Sequence, residues 1–514
     1  MFFQDNATNE FLLQAFATPG NDLDIDEILG NWMNQRQRNQ EEEDLYIAHQ
    51  KRESKRQADD ETAGVKKKRR RRNMSNSAKQ YVVDHESGMP RRGIFEDSSW
   101  WINYVIFPEL MTQEMHHKFR DRFRMPFREW QDLVKLMKDS ALFSSWHDGN
   151  TDACGVKATP IELLCLGALR YLGRKCTFDC LEEATFVSRK VHERYFKVFI
   201  EFGSTVLYNL HVVAPTTPAE AAHHMHEMQA AGFHGALGSM DATHVVILNC
   251  KFGQRQAHLG FKLKQTSRTY NIVVNHRRRI LSSTGGHPAR WNDKTIVLFD
   301  TFINDIKSGD ILADNEFELF EYDEDEDEIV KTTYRGCWIQ TDNGYLDWSI
   351  TVPPHKYCDT REELRWSQWM ESMRKDVECT FGILKKRFTI LSKGIDAHDI
   401  DTADKVWKTC CALHNLLLDA DGYDEKWGEE IPTEETLGFA LSRLNNPEDQ
   451  EANVVEHDTN IDIDNTAPRH NDIVRDVRSM SLDQFRGRLV DHFDIKFKRN
   501  GIKWPKRIKP PRSI

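Results

Sequence analysis

The stretch Ser372-Met373-Arg374-Lys375-Asp376-Val377-Glu378-Cys379-Thr380-Phe381-Gly382-Ile383-Leu384-Lys385-Lys386-Arg387-Phe388 sets the tightest limit on what this chain can become. Met373, Val377, Phe381 and Leu384 recur at i, i+4, i+8 and i+11, the spacing of one helical face laid on a core. Glu378 stands beside that stripe. A carboxylate there is either held at the helix edge by neighbouring bases or aimed into a site. Three aspartates upstream, Asp241, Asp293 and Asp342, each fall where the chain reads as a strand, a helix start or a tight turn. Four acids so placed are candidates to converge.

The 514 residues exceed one core, so two folded domains with tails are expected. No run approaches the roughly 20 apolar residues of a membrane span. Met1-Phe2-Phe3-Gln4-Asp5 lacks the basic start and apolar core of a secretory leader, and the expectation is an intracellular protein without a membrane partner. The ten cysteines show no C-x-x-C pair; Cys176 and Cys180 suit one helical turn as well as a ligand set, and reduced thiols are the expected state. A net charge of -11 would argue against nucleic acid if it were spread evenly. It is not spread evenly.

Residues 1–94 read as a disordered tail, polar and charged, with a short apolar patch at Phe11-Leu12-Leu13. Within it stand seven consecutive bases, Lys66, Lys67, Lys68, Arg69, Arg70, Arg71 and Arg72, a run that repels itself and stays extended. Such a run serves as a nuclear import signal or a phosphate-binding arm, and the expected compartment is the nucleus. Residues 95–230 read as helical. Thr177 caps one short helix, and Ser188-Arg189-Lys190-Val191 opens another whose first bases, Arg189 and Lys190, suit contact with DNA if the pair is a helix-turn-helix. An ordinary helical bundle fits the same spacing. The histidines His223, His224 and His226 read as solvated side chains rather than metal ligands.

From 231 to 420 the period changes. Ala236 to Ile247 reads as a strand containing Asp241, and two further strands flank the hairpin turn Asn275-His276-Arg277-Arg278. Asn292 caps a helix opening at Asp293. An acidic block, densest from Glu321 to Glu328, reads as a solvated insertion near 313–330. A buried strand then ends at Asp342-Asn343-Gly344, Ser349 to Pro354 forms a last short strand, and the Glu378 helix follows. Residues 421–514 read as a polar, acidic tail whose last segment, Lys496 to Arg507, is basic and aromatic.

This order of elements is that of an α/β fold of RNase H-like type: three antiparallel strands, then parallel additions with helices on the faces. In that topology Asp241, Asp342, Glu378 and Asp293 share one small volume. Like charges so close raise one another's pKa, and divalent cations with oxygen-rich shells, Mg²⁺ or Mn²⁺, resolve the conflict. Two such ions support phosphodiester cleavage without a general-base side chain.

Gly238-Ser239-Met240-Asp241-Ala242-Thr243-His244, Trp291-Asn292-Asp293, Thr341-Asp342-Asn343-Gly344-Tyr345 and Arg374 to Phe388 resemble the successive motifs of the PIF/Harbinger transposases, in their plant-transposon-protein branch of DDE endonucleases. Cys410-Cys411-Ala412-Leu413-His414-Asn415 resembles the closing helix of that family, and the likeness runs over roughly residues 95–420. It implies that Asp241, Asp342 and Glu378 are the catalytic, metal-binding triad and Asp293 a fourth ligand. The interval from Asp342 to Glu378, 378 − 342 = 36 residues, suits DDE enzymes. One departure stands out: His287-Pro288-Ala289-Arg290-Trp291 replaces the usual Pro-Gly-Ser-like turn before the residue matching Asp293. The resemblance further implies DNA as substrate and a separate Myb-like DNA-binding partner, and it leaves open a homo-oligomer.

Lys385, Lys386 and Arg387, just past Glu378, are expected either to grip flanking phosphates or to form a solvated helix face. The rival to an endonuclease is a domesticated, non-catalytic DNA-binding or scaffold protein that keeps the fold.

Overall fold

The computed structural model describes residues 81–83, 88–146, 158–260, 264–322, 328–422 and 469–504. The basic run Lys66 to Arg72, the apolar patch at Phe11, the centre of the acidic block and the last bases, from Pro505 on, lie outside the described residues. Among the described residues no helix is long and apolar enough to cross a membrane.

After a short antiparallel pair, Tyr81–Val83 with Pro90–Arg92, and a few helical turns, the chain forms helices α1 (Gln113–Phe123), α2 (Phe127–Asp139), α3 (Ile161–Arg174), α4 (Phe178–Thr185), α5 (Arg189–Phe202) and α6 (Pro218–Ala230). Strands β1 (Ala236–Val246), β2 (Ser267–Val274) and β3 (Ile280–Ser283) follow as an antiparallel meander. Next come α7 (Asp293–Val297), α8 (Thr301–Ser308) and a hairpin of β4 (Glu316–Tyr322) with β5 (Ile329–Arg335). Strands β6 (Trp338–Gln340) and β7 (Thr351–Val352) extend the first sheet in parallel, giving the order β7-β6-β1-β2-β3. Helices α9 (Arg361–Arg387), α10 (Thr389–Lys393) and α11 (Ile400–Ala420) complete the central part.

Every residue of β2 is buried, as befits a strand covered on both faces. Its side chains alternate between two cores. Ile272 and Val274 join a cluster formed by α1 to α5, α11 and the C-terminal half of α9, whereas Val273 joins one formed by α6, α8 and the N-terminal half of α9. The helices from 113 to 202 therefore do not build a core apart from the sheet; they cover one of its faces. Helix α6 packs on the opposite face. Periodicity reports that a helix is amphipathic and is silent on which surface it covers.

The acidic block is described only at its flanks, of which the first belongs to β4 and the second to β5. Burial alternates along β4, with Phe317, Leu319 and Glu321 turned inward. Glu321 is 2% exposed; it accepts hydrogen bonds from the Tyr334 hydroxyl and, at 3.3 Å, from Thr332 Oγ1, with Arg475 and Arg488 at 3.6 and 3.9 Å. A buried carboxylate stays where such partners offset its lost hydration.

Residues 469–504 form a further strand and helix. Strand β8 (Arg469–Asp476) joins β5 in parallel, and α12 (Leu482–Lys498) starts from a capping box between Ser481 and Gln484. Phe485, Leu489 and Phe493 enter the second core, and Trp504 meets Trp369 edge-on at 4.5 Å between ring centroids. The stripe of apolar residues at 485, 489 and 493 is a helical signal embedded in a polar sequence.

Candidate active site

Strand β1 carries Asp241 at its middle. In the parallel register Ser239 stands opposite Gln340, so Asp342, two residues past the end of β6, comes level with Asp241. The Asp-Asn-Gly turn is fastened by Asp342 itself, whose Oδ1 accepts the Gly344 N–H at 2.8 Å. Asp293 opens α7, which Asn292 caps by accepting the Thr295 N–H at 2.9 Å. The segment leading there, where the resemblance departs from pattern, is held by His287 and Pro288, paired with Thr269 and Arg268 of β2.

Gly344 measures how closely two of these acids approach. A Cβ there would lie 2.9 Å from Asp342 Oδ1 and 3.0 Å from Asp293 Oδ2, so one methyl group would touch both carboxylates. Tyr345 lies beneath. Its hydroxyl donates to Asn271 Oδ1 at 2.7 Å, and Asn271 Nδ2 donates to Asp300 Oδ2 at 2.7 Å. Burial, reinforced by the negative charges of Asp293, Asp241 and Asp342, holds that phenol protonated. Three of the four expected acids thus surround one tyrosine.

The fourth, Glu378, projects from α9 and is half exposed. It accepts a 3.2 Å hydrogen bond from Arg374 Nη2, one helical turn earlier. The same guanidinium holds Glu371 at 3.3 Å and stands 3.6 Å from Asp241 Oδ2, while its buried Nε and Nη1 make no hydrogen bond. Arg374 is therefore the cation between Asp241 and Glu378. Sequence reasoning missed it, although its place four residues before the acid was the available signal. Burial pushes the Asp241 carboxyl up to about 6; the Ala242 N–H and Arg374 oppose this, and Asp342 and Asp293 add to it.

An all-oxygen set of crowded carboxylates suits a hard divalent cation. Among the described residues no three acidic, histidine or cysteine side chains stand close enough to cage a metal ion as they are placed. The donors fit such a cation in kind, with Glu378 engaged by Arg374.

Behind the site, His276 in the β2–β3 turn and Asp376 on α9 are both buried and meet at 2.6 Å from Nδ1 to Oδ2. Arg278 Nε lies 3.6 Å from the other oxygen of Asp376. This contact pins α9 against the sheet beside Glu378. Its partners are a hundred residues apart, and nothing local announces them.

The expected DNA contacts divide. Lys385 Nζ donates to Thr243 Oγ1 at 2.6 Å, and burial lowers its pKa. Lys386 is exposed. Arg387 is buried, with Nη1 3.4 Å from His414 Nδ1, because position 387 follows Leu384 by three on the core face. Arg189 and Lys190 are exposed at the start of α5, where Arg189 Nε pairs with Glu193 at 2.6 Å. Of the three histidines on α6, His224 is hydrogen-bonded to Asn275 Nδ2 at 3.0 Å and His223 to Arg277 at 3.2 Å.

With that geometry in place, the chain can be set beside known proteins. Residues 240–415 match the DDE superfamily endonuclease family. The matched span contains Asp241, Asp293, Asp342 and Glu378 and closes at Asn415 in α11. No curated protein matches the chain, and no solved structure does. A DDE superfamily endonuclease domain points to a transposase-type nuclease with DNA as its substrate, in a superfamily that generally uses divalent metals.

Proposed function

We propose that the chain is a metal-dependent DNA endonuclease of the DDE transposase type, PIF/Harbinger-like in kind, built on an RNase H-like sheet. The observation that carries this reading is the gathering of Asp241, Asp293 and Asp342 around Gly344 and Tyr345, inside the span that matches the endonuclease family. Three antiparallel strands extended by two parallel ones support the RNase H-like assignment.

Asp241, Asp342 and Glu378, assisted by Asp293, would hold Mg²⁺ or Mn²⁺. Such ions supply activation of water and stabilisation of the leaving oxygen. The chain's own residues arrange the rest. Tyr345, fixed through Asn271 and Asp300, sets the floor under the aspartates. Arg374 balances charge between Asp241 and Glu378. Lys385 lies seven residues after Glu378, on the same side of the helix, beside Thr243. Arg189, Lys190 and Lys386 remain exposed for phosphate contact. The run Lys66 to Arg72 supports nuclear import, and a Myb-like partner belongs to the same reading.

A non-catalytic scaffold is favoured by one observation, the engagement of Glu378 by Arg374 in the absence of a three-ligand cluster among the described residues. The two readings part on Mg²⁺- or Mn²⁺-dependent cleavage of duplex DNA, with and without a Myb-like partner. Cutting that is lost in Glu378→Gln and in Asp241→Asn establishes the endonuclease. Absence of cutting, together with no metal-induced rise in melting temperature, establishes the scaffold.

A further inference from the structure

Helices α1 and α3 end side by side, and four arginines meet there. Arg124 caps α1 in the left-handed conformation at φ 60°, where glycine or asparagine is the inexpensive choice. Its stem lies across α3 because position 173 is glycine: a Cβ on Gly173 would come 2.7 Å from Arg124 Cγ. Arg170 Nη1 donates to the Arg122 carbonyl at 3.1 Å, and Arg174 Nη2 donates to the Asp121 carbonyl at 2.9 Å. Asp121 also receives Arg124 at 3.0 Å and Arg174 at 2.7 Å through its carboxylate, which is itself 57% exposed.

Part of this arrangement is structural, since cations at a helix C-terminus bond the last carbonyls and complement the dipole. That does not account for all of it. Arg122 is exposed, with its Nη1 on the Tyr104 hydroxyl at 3.2 Å. The Nε groups of Arg124 and Arg174 are buried without a hydrogen-bond partner. Burial lowers the pKa of Arg124 and of Arg170, and the neighbouring guanidinium of Arg174 lowers both further. Four like charges around one exposed carboxylate are costly in the free protein, and an anion laid across them relieves the cost.

The patch is tied to the helix that bears Glu378. Thr389 Oγ1 donates to the Gly173 carbonyl at 2.7 Å, and the Gly173 Cβ position lies 3.8 Å from the Arg387 carbonyl. Nine residues of helix separate Glu378 from Arg387, about 14 Å of rise, and about four base-pair steps of duplex at 3.4 Å each.

We propose that Arg122, Arg124, Arg170 and Arg174 form a seat for the sugar-phosphate backbone of duplex DNA flanking the cut site. This rests on the endonuclease reading and extends it to a surface outside the matched span. The seat reads backbone rather than base sequence and holds the duplex in register with Glu378.

The test is fluorescence anisotropy of the full chain with a labelled duplex, without added divalent metal, over a series of salt concentrations. In Arg122→Gln/Arg170→Gln, the dissociation constant near 0.1 M salt is expected to rise roughly tenfold for each phosphate left unpaired, and the salt slope to fall by roughly 0.9 for each. Asp121→Asn is expected to act oppositely, tightening binding several-fold and steepening the slope. A misfolded protein would not produce that gain. If the wild type binds and cuts duplex while both variants keep its affinity within about twofold and its slope unchanged, the seat is refuted and the endonuclease stands. If the wild type neither binds nor cuts duplex, the endonuclease reading falls and the seat with it. Effects of these variants on a single-stranded RNA probe but not on the duplex would also overturn the assignment.

Discussion

Acid should loosen this protein near pH 6 through histidines kept neutral in its cores. His192, His258 and His414 are 2%, 3% and 0% exposed, and burial lowers their pKa values to about 4, about 4 and about 3. At His414 the guanidinium of Arg387 adds to burial, and Nε2 lies 2.9 Å from the Arg278 carbonyl. The unfolded chain takes up these protons near pH 6.5, whereas the folded chain does not. Stability from each histidine is therefore present above 6.5 and is lost as pH falls toward 4. Between pH 7.5 and 5.5 each one costs somewhat over 1 kcal/mol, about 4 kcal/mol for the three. Asp241 and Asp300 act the other way. Burial raises both to about 6, so the folded state protonates first and gains somewhat under 1 kcal/mol from each over the same interval. The net loss is about 2 kcal/mol, and His492, lowered by burial and bonded through Nδ1 to the Phe320 N–H, adds to it. Urea melts followed by circular dichroism at pH 7.5, 6.5 and 5.5 measure this directly. Stability that stays flat or rises on acidification would refute the reasoning, as would a His414→Gln variant with an unchanged pH slope.

Other variants probe the site and the cores separately. Gly382→Ala, on the exposed side of α9 near its C-terminal end with nothing within 4 Å of its added methyl, is expected to raise stability by about 1 kcal/mol, read as an increase in melting temperature. Gly344→Ala would push a methyl between Asp342 and Asp293 and is expected to weaken metal-induced stabilisation about 10–100-fold in metal concentration, as measured by thermal shift against Mn²⁺. Phe485→Ala in α12, fully buried in the second core, should cost about 3–5 kcal/mol in chemical denaturation.

What the sequence disclosed follows the range of each interaction. The strand holding Asp241, the turn at Asn275, the Asn292 cap and the Asp342 turn are all written within a few residues, and the structure has each of them. Arg374 needed only the step from Glu378 back by one turn, yet a base four residues before an acid on a helix ordinarily signals a surface pair. Glu321 was misread because an acidic run looks solvated until its partners, Tyr334 and Arg475, are known to face it. Strand β8 was beyond local reading: its pairing places Arg469 opposite Val330 across a separation of well over a hundred residues. The contact of His276 with Asp376 was hidden in the same way.

The late position of β8 and α12 also bears on how the protein is made. The second core, which backs β1 and the first half of α9, receives Phe485, Leu489 and Phe493 from the last described part of the chain. During synthesis, every element carrying a candidate acid emerges from the ribosome before the helix that seals the layer behind it. Until α12 arrives, Trp338, Phe317 and Trp369 lack their cover. The nascent chain thus presents an aromatic surface throughout the interval in which residues 423–468 are being added, a window in which chaperone binding would have its greatest effect on yield.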